Sequence, residues 1–142
     1  MSKFKFEIQE LVCPHIHAGY NEKTQWMFVD MRLLETLNVV REQIVKTSMT
    51  INNYKIGGSF SQRGVRCNCC QIVKDKKKVY MSAHVTGKGV DFDVKGMTAE
   101  QVRQAIIKNK HLLPYPIRLE KGVSWVHLDV YDNGSGEKVS LF

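Results

Sequence analysis

No stretch of this 142-residue chain stays apolar over the roughly 20 residues needed to cross a bilayer, so membrane insertion is not expected. The amino-terminal "MSKFKFEIQELV" carries lysines but no continuous apolar segment and no small-residue cleavage site, so no signal peptide is read there. The chain is therefore expected to be made in a cytoplasm, with any export by another route. Internal repeats, low-complexity tracts and linkers are also missing. That leaves a single domain, 1–142, long enough to bury a real core. Acidic residues are in deficit: 14 Asp and Glu against 21 Lys and Arg give a net charge of +7. The imbalance favours an anionic partner such as nucleic acid, an anionic cell wall or an acidic membrane. Part of it sits in "KDKKKV", 74–79, which reads first as a solvated loop.

Apolar and charged fractions of 43% and 25% are those of an ordinary globular protein. "DMRLLETLNVVREQIVK" places Leu33, Leu37, Val40 and Ile44 on one helical face, with Asp30 as the N-cap. "MTAEQVRQAIIKN" reads as a second helix, with Thr98 and Gln101 in a capping-box pattern and Val102, Ala105 and Ile106 facing inward. "SMTINNY", "KVYMS" and "VDFDV" read as strands, and the paired glycines of "IGGSFSQRG" as a loop. "LLPYPIRLE" and "SWVHLDV" read as two more strands joined by a turn at Lys121-Gly122. This order predicts an α+β fold, with a central, mainly antiparallel sheet and flanking helices.

Two of these strands carry polar groups where packing would favour apolar ones. "SAHVTGKGVDFDV" brings His84 through a glycine-containing turn, with Gly87 and Gly89, to Asp91 and Asp93. "SWVHLDV" alternates, with Trp125, His127 and Asp129 on one face and Val126, Leu128 and Val130 on the other. A histidine and a carboxylate on a packed strand are costly unless paired or coordinated. Two imidazoles and one carboxylate are a familiar catalytic zinc set that leaves a fourth position open. Taken singly, His84 fits a loop histidine, Asp91 a turn residue and His127 a half-buried strand histidine.

Together, "S-x-H-x-x-G-x-[AG]-x-D" from Ser82 to Asp91 and "W-x-H-x-D" from Trp125 to Asp129 resemble the D-alanyl-D-alanine carboxypeptidase-like zinc peptidases. That family includes phage endolysins, D-Ala-D-Ala dipeptidases and the hedgehog signalling domain. The resemblance spans about residues 48–131, with both motifs in order, and is particularly to the short virus- or phage-encoded members. It implies a hedgehog/DD-peptidase-like α+β fold and a Zn2+ ion held by His84, Asp91 and His127. It also implies hydrolysis of a peptidoglycan stem-peptide bond next to a D-amino acid. Action on an anionic cell wall would follow holin-type release or carriage in a virion. A monomer is expected, and nucleic acid is not the expected partner.

The chain departs from that family in two places. Many members have an acidic general base three residues before the last histidine, and here Ser124 stands there. Glu120 is the first candidate to replace it, through a hairpin pairing with Val123 that puts it on the face of Trp125 and His127. Asp129 is the second candidate, with the alternative of orienting a ligand histidine, and Asp93 is the third. The family's "G-Y-R" strand end is Asn53-Tyr54-Lys55 here. Arg63 and Arg66 are then the candidates for holding a carboxylate or oxyanion, although at least one of them is expected to be a plain surface charge. Gln62 and Ser82 could add hydrogen bonds, and Trp125 a pocket wall.

Cys13, Cys67, Cys69 and Cys70 are expected to be reduced, and they read better as buried free thiols than as a second, structural zinc site. Three other readings stay open: a non-catalytic zinc module of the same fold, a nucleic-acid binder using Lys74–Lys78, and a cysteine-nucleophile enzyme.

Overall fold

Alternation in two segments builds the middle of the sheet. In β2, Gly89–Val94, the side chains of Val90, Phe92 and Val94 enter the core. In β4, Val126–Asp129, Val126 and Leu128 do the same. The two strands pair antiparallel in a register that sets Val90 against Leu128, Asp91 against His127 and Phe92 against Val126. Each apolar residue therefore meets an apolar partner on one face, and the polar residues meet on the other. Phe92 is completely buried and contributes about 2–3 kcal/mol.

The computed structural model describes residues 4–142. Short β1 (Met49–Thr50) flanks β2, while β3 (Ile117–Leu119) flanks β4 and is flanked in turn by β5 (Val139–Leu141). The spatial order is β1-β2-β4-β3-β5. The class is α+β, but the sheet is mixed: β3 and β5 run parallel, and the other pairings are antiparallel. β5 has no counterpart in the sequence reading.

Three short helices, α1 (Ile8–Leu11), α2 (Pro14–Gly19) and α3 (Glu22–Met27), precede the first long one. That helix, α4 (Met31–Val39), starts where the Asp30 carboxylate accepts the Arg32 backbone N–H at 2.9 Å. It widens into a π-helical stretch at Val40–Val45 and stops at Lys46, whose φ is 55°. Leu33, Leu37 and Val40 are fully buried, whereas Ile44 only borders the core. After a loop come α5 (Gln71–Lys74) and then α6 (Ala99–Lys108), opened by the reciprocal capping box of Thr98 and Gln101. Val102 and Ile106 of α6 are buried with the apolar face of the sheet, so the opposite sheet face is left for polar groups.

Two local expectations are corrected. "KVYMS" forms no strand: Val79 and Met81 are 88% and 65% exposed, so their alternation has no apolar surface to pack against. The β3–β4 connection is also longer than a two-residue turn. Arg118 pairs with Asp129 and Leu119 with Leu128, and the Glu120 N–H donates to the His127 carbonyl at 3.3 Å. Glu120 therefore stands opposite His127 rather than Val123. Gly122 still supplies a positive φ, 77°, inside the loop.

Candidate metal centre

The turn before β2 is held from several sides. The Ala83 carbonyl accepts the N–H groups of Lys88 and Gly89, and the Ser82 carbonyl accepts that of Thr86. Gly87 has φ +72°, and an added Cβ would lie 1.9 Å from the Phe28 carbonyl oxygen, so only glycine fits. At Gly89 a Cβ would meet Ala83 Cβ at 2.7 Å and Asp129 Cβ at 3.0 Å, because Gly89 is paired directly opposite Asp129 in the sheet and the Ala83 turn closes over it. This close approach brings His84 beside the paired Asp91 and His127.

The atoms that His84, Asp91 and His127 offer to an ion lie within 4.8 Å of one another, and all three residues are buried. The hydrogen bonds decide which nitrogens turn inward. His84 Nδ1 faces the Gly64 carbonyl at 2.9 Å, which requires an N–H there and leaves Nε2 toward Asp91 Oδ2 at 3.3 Å. His127 Nε2 faces Asp129 Oδ2 at 2.9 Å, and Nδ1 faces Asp91 Oδ1 at 2.8 Å. Ligands on a tetrahedral zinc with bonds of 2.0–2.1 Å are spaced by about 3.3 Å, so this donor set fits a small divalent cation. Both outer nitrogens are held by a carbonyl or carboxylate, the arrangement that orients metal-binding imidazoles.

Charge in the cluster follows the same contacts. Burial alone would lower the His127 pKa, but the hydrogen bonds to Asp129 and Asp91 overcome it and raise the imidazole to about 9. Burial pushes the Asp91 carboxyl up, and the bonds from His127 and His84 outweigh it, holding the group well below the usual carboxylate range. Asp129 is lowered in the same way by His127 and Arg118 against its burial.

An open cleft of about 500 Å³ exposes this cluster, lined also by Arg66, Ser82, Arg118, Glu120, Trp125 and Phe142. A second hollow of about 490 Å³ adjoins it and shares Arg66, Ile72, Asp91 and Trp125. Gln62, Arg63, Asp93 and Ser124 line that second hollow and not the first.

The three candidate carboxylates separate clearly. Asp129 is fully buried; its oxygens accept both ends of the Arg118 fork at 2.9 Å, the Tyr131 N–H and His127. Asp93 accepts Arg63 Nη1 at 3.0 Å in the neighbouring hollow. Glu120 lines the cleft of His84, Asp91 and His127, and its carboxylate has no hydrogen-bond or ion-pair partner among the described residues.

Other candidates are partly committed to structure. Arg66 donates to Asp91 Oδ2 at 3.3 Å and to the Gln62 carbonyl, which sets its guanidinium at the cleft wall. Arg63 stacks on Phe60 at 4.2 Å as well as pairing with Asp93, so neither arginine is a plain solvated charge. Gln62 Oε1 accepts the Ile72 N–H at the start of α5, and Ser82 Oγ accepts the Val85 N–H. Trp125 is 40% exposed and forms a wall of both hollows.

Two contributors were missed in the sequence. Arg118, held between Tyr131 and Phe142 at 5.0 and 4.4 Å, was legible only through the true β3–β4 register. Phe142 stands edge-on to His127 with ring centroids 5.7 Å apart; the Val139/Leu141 alternation was its one signal.

Comparisons with protein-family models, with curated proteins and with solved structures return no match. No helix among the described residues is long and apolar enough to cross a membrane.

Proposed function

We propose that this chain is a zinc-dependent peptidase that cuts a peptidoglycan stem-peptide bond next to a D-amino acid. The observation that carries the reading is the convergence of His84, Asp91 and His127 at the floor of an open cleft. The two motifs shared with the D-alanyl-D-alanine carboxypeptidase-like peptidases support the substrate class, as does the net charge of +7 toward an anionic wall. Release by a holin, or carriage in a virion, would bring it to that wall.

His84 Nε2, His127 Nδ1 and the Asp91 carboxylate would hold the ion. A zinc ion so held supplies Lewis acidity to a carbonyl and lowers the pKa of water toward neutrality. Glu120 is the general base: it faces the cleft with its carboxylate unengaged, where it can take a proton from the attacking water and return it to the leaving amine. Asp129 is a positioning residue, because its bond to Nε2 keeps the lone pair of His127 Nδ1 pointed inward. Arg66 holds the substrate carboxylate or the developing oxyanion beside Asp91. Trp125 and the second hollow, with Arg63, receive the rest of the peptide.

A non-catalytic zinc module is the second reading, favoured by Ser124, which lies in the neighbouring hollow and has no acidic group. Incubation with purified peptidoglycan separates the two. New amino ends should appear, stop on chelation and return with added zinc. A protein that binds zinc stoichiometrically and releases no ends from any stem peptide would establish the module instead.

A further inference from the structure

We propose that Cys13, His15, Cys67 and Cys70 form a second zinc site, structural in role and separate from the cleft. Along the sequence, "RCNCC" at 66–70 is C-x-C-C, which is why free thiols are the expectation there. The structure pairs Cys67 with Cys70 instead, which is C-x-x-C spacing. A turn closed by the Cys70 N–H on the Cys67 carbonyl at 3.2 Å brings the two sulfurs to 3.9 Å. Cys13 Sγ lies 3.6 Å from Cys67 Sγ, and His15 Nδ1 lies 3.8 Å from Cys70 Sγ. All four donor atoms fall within 4.8 Å of one another.

These three distances match the edges of a tetrahedron, and the remaining donor pairs lie within 4.8 Å. Zinc–sulfur bonds of 2.3 Å put neighbouring sulfurs about 3.8 Å apart, and a nitrogen slightly closer. The Cys69 N–H donates to Cys67 Sγ at 3.3 Å, a contact that favours a thiolate over a thiol. Cys69 itself is exposed and outside the cluster. Three soft sulfurs and an imidazole, with no open position, select zinc and mark a closed site. Binding releases the thiol protons to solvent.

The site joins two remote segments. Cys13 occupies the N-cap position of α2, and its N–H donates to the Val65 carbonyl at 3.0 Å. The 64–67 stretch also supplies the Gly64 carbonyl that orients His84, and the Arg66 N–H that donates to the His84 carbonyl. A metal here would brace the backbone behind the cleft.

Metal analysis and cobalt substitution test this. The full chain should bind two zinc equivalents: Cys67→Ser should keep one, His127→Ala should keep the other, and Cys69→Ser should keep both. Cobalt-loaded protein should show thiolate-to-cobalt charge-transfer absorption that survives His127→Ala. If Cys67→Ser fails to fold, the cobalt spectrum of the unaltered chain and of His127→Ala decides. One equivalent in the full chain that disappears in His127→Ala, or a cobalt spectrum without the thiolate band, overturns the site.

Discussion

Glu120 stands across the strand ladder from His127, its backbone N–H bonded to the histidine carbonyl at 3.3 Å. A hairpin turning at Lys121-Gly122 would have set the two four residues apart along one strand. The longer loop removes that separation and puts the carboxylate on the cleft face. Glu120→Gln should keep fold and bound metal and lower turnover by ~10²–10⁴-fold. Turnover close to the parent's, with metal bound, would assign the base elsewhere.

Asp129 and His127 should behave differently when changed. His127→Ala removes a ligand and should abolish metal binding at the cleft together with activity. Asp129→Asn keeps the ligand but removes the charge and turns one of two engaged acceptor oxygens into an NH2 donor, which weakens the hold on its tautomer, so metal affinity should fall by ~10–100-fold. Metal titration against a competing chelator reads both. An Asp129→Asn affinity equal to the parent's would remove Asp129 from a positioning role.

Arg103 is 5% exposed and donates to the carbonyls of Glu120, Val123 and Trp125. It ties α6 to the loop that presents both Glu120 and Trp125. Arg103→Met leaves three part-buried carbonyls without this donor and should cost about 1–3 kcal/mol in denaturant unfolding. Turnover should drop with the cleft metal retained. A variant as stable as the parent would show that the loop satisfies itself.

Asp30 caps α4, pairs with Arg32, and through its own N–H holds the Gly87 carbonyl at 2.9 Å. Its bond to Arg32 holds the carboxyl below its ordinary value of 3.8. A depressed carboxyl stabilises the fold fully above that ordinary value and loses the contribution as pH falls through the lowered one. Asp30→Ala should therefore cost about 1 kcal/mol at neutral pH. The gap from the parent should close in acid, as read by thermal melts across pH. A gap that is constant or widens toward low pH would contradict the assignment.

The sequence was most informative where side-chain period and capping act locally. Asp30, Thr98 and Gln101 cap as their spacing suggested, and the β2 and β4 alternations put Asp91 and His127 on one face. It was least informative where a partner decides the outcome. Val79 and Met81 alternate like a strand but meet no sheet edge. β5 is short and joins β3 in parallel from the end of the chain, a pairing that no local pattern encodes. Arg118 and Phe142 reached the cleft only through that pairing and the β3–β4 register. The sulfur cluster was hidden because Cys69 interrupts the eye between Cys67 and Cys70, while Cys13 arrives from 54 positions away.

The Asp91–His127 pairing also bears on how the sheet finds its alignment. Side chains alternate with a period of two, so sliding β4 by one residue against β2 would bring Val126 or Leu128 opposite Asp91 and turn His127 into the apolar layer. Such a slipped sheet offers no complete donor set. An ion held by Asp91 and His127 across the two strands would therefore stabilise one alignment and none of its neighbours, widening the energy gap that separates the native sheet from its near misses.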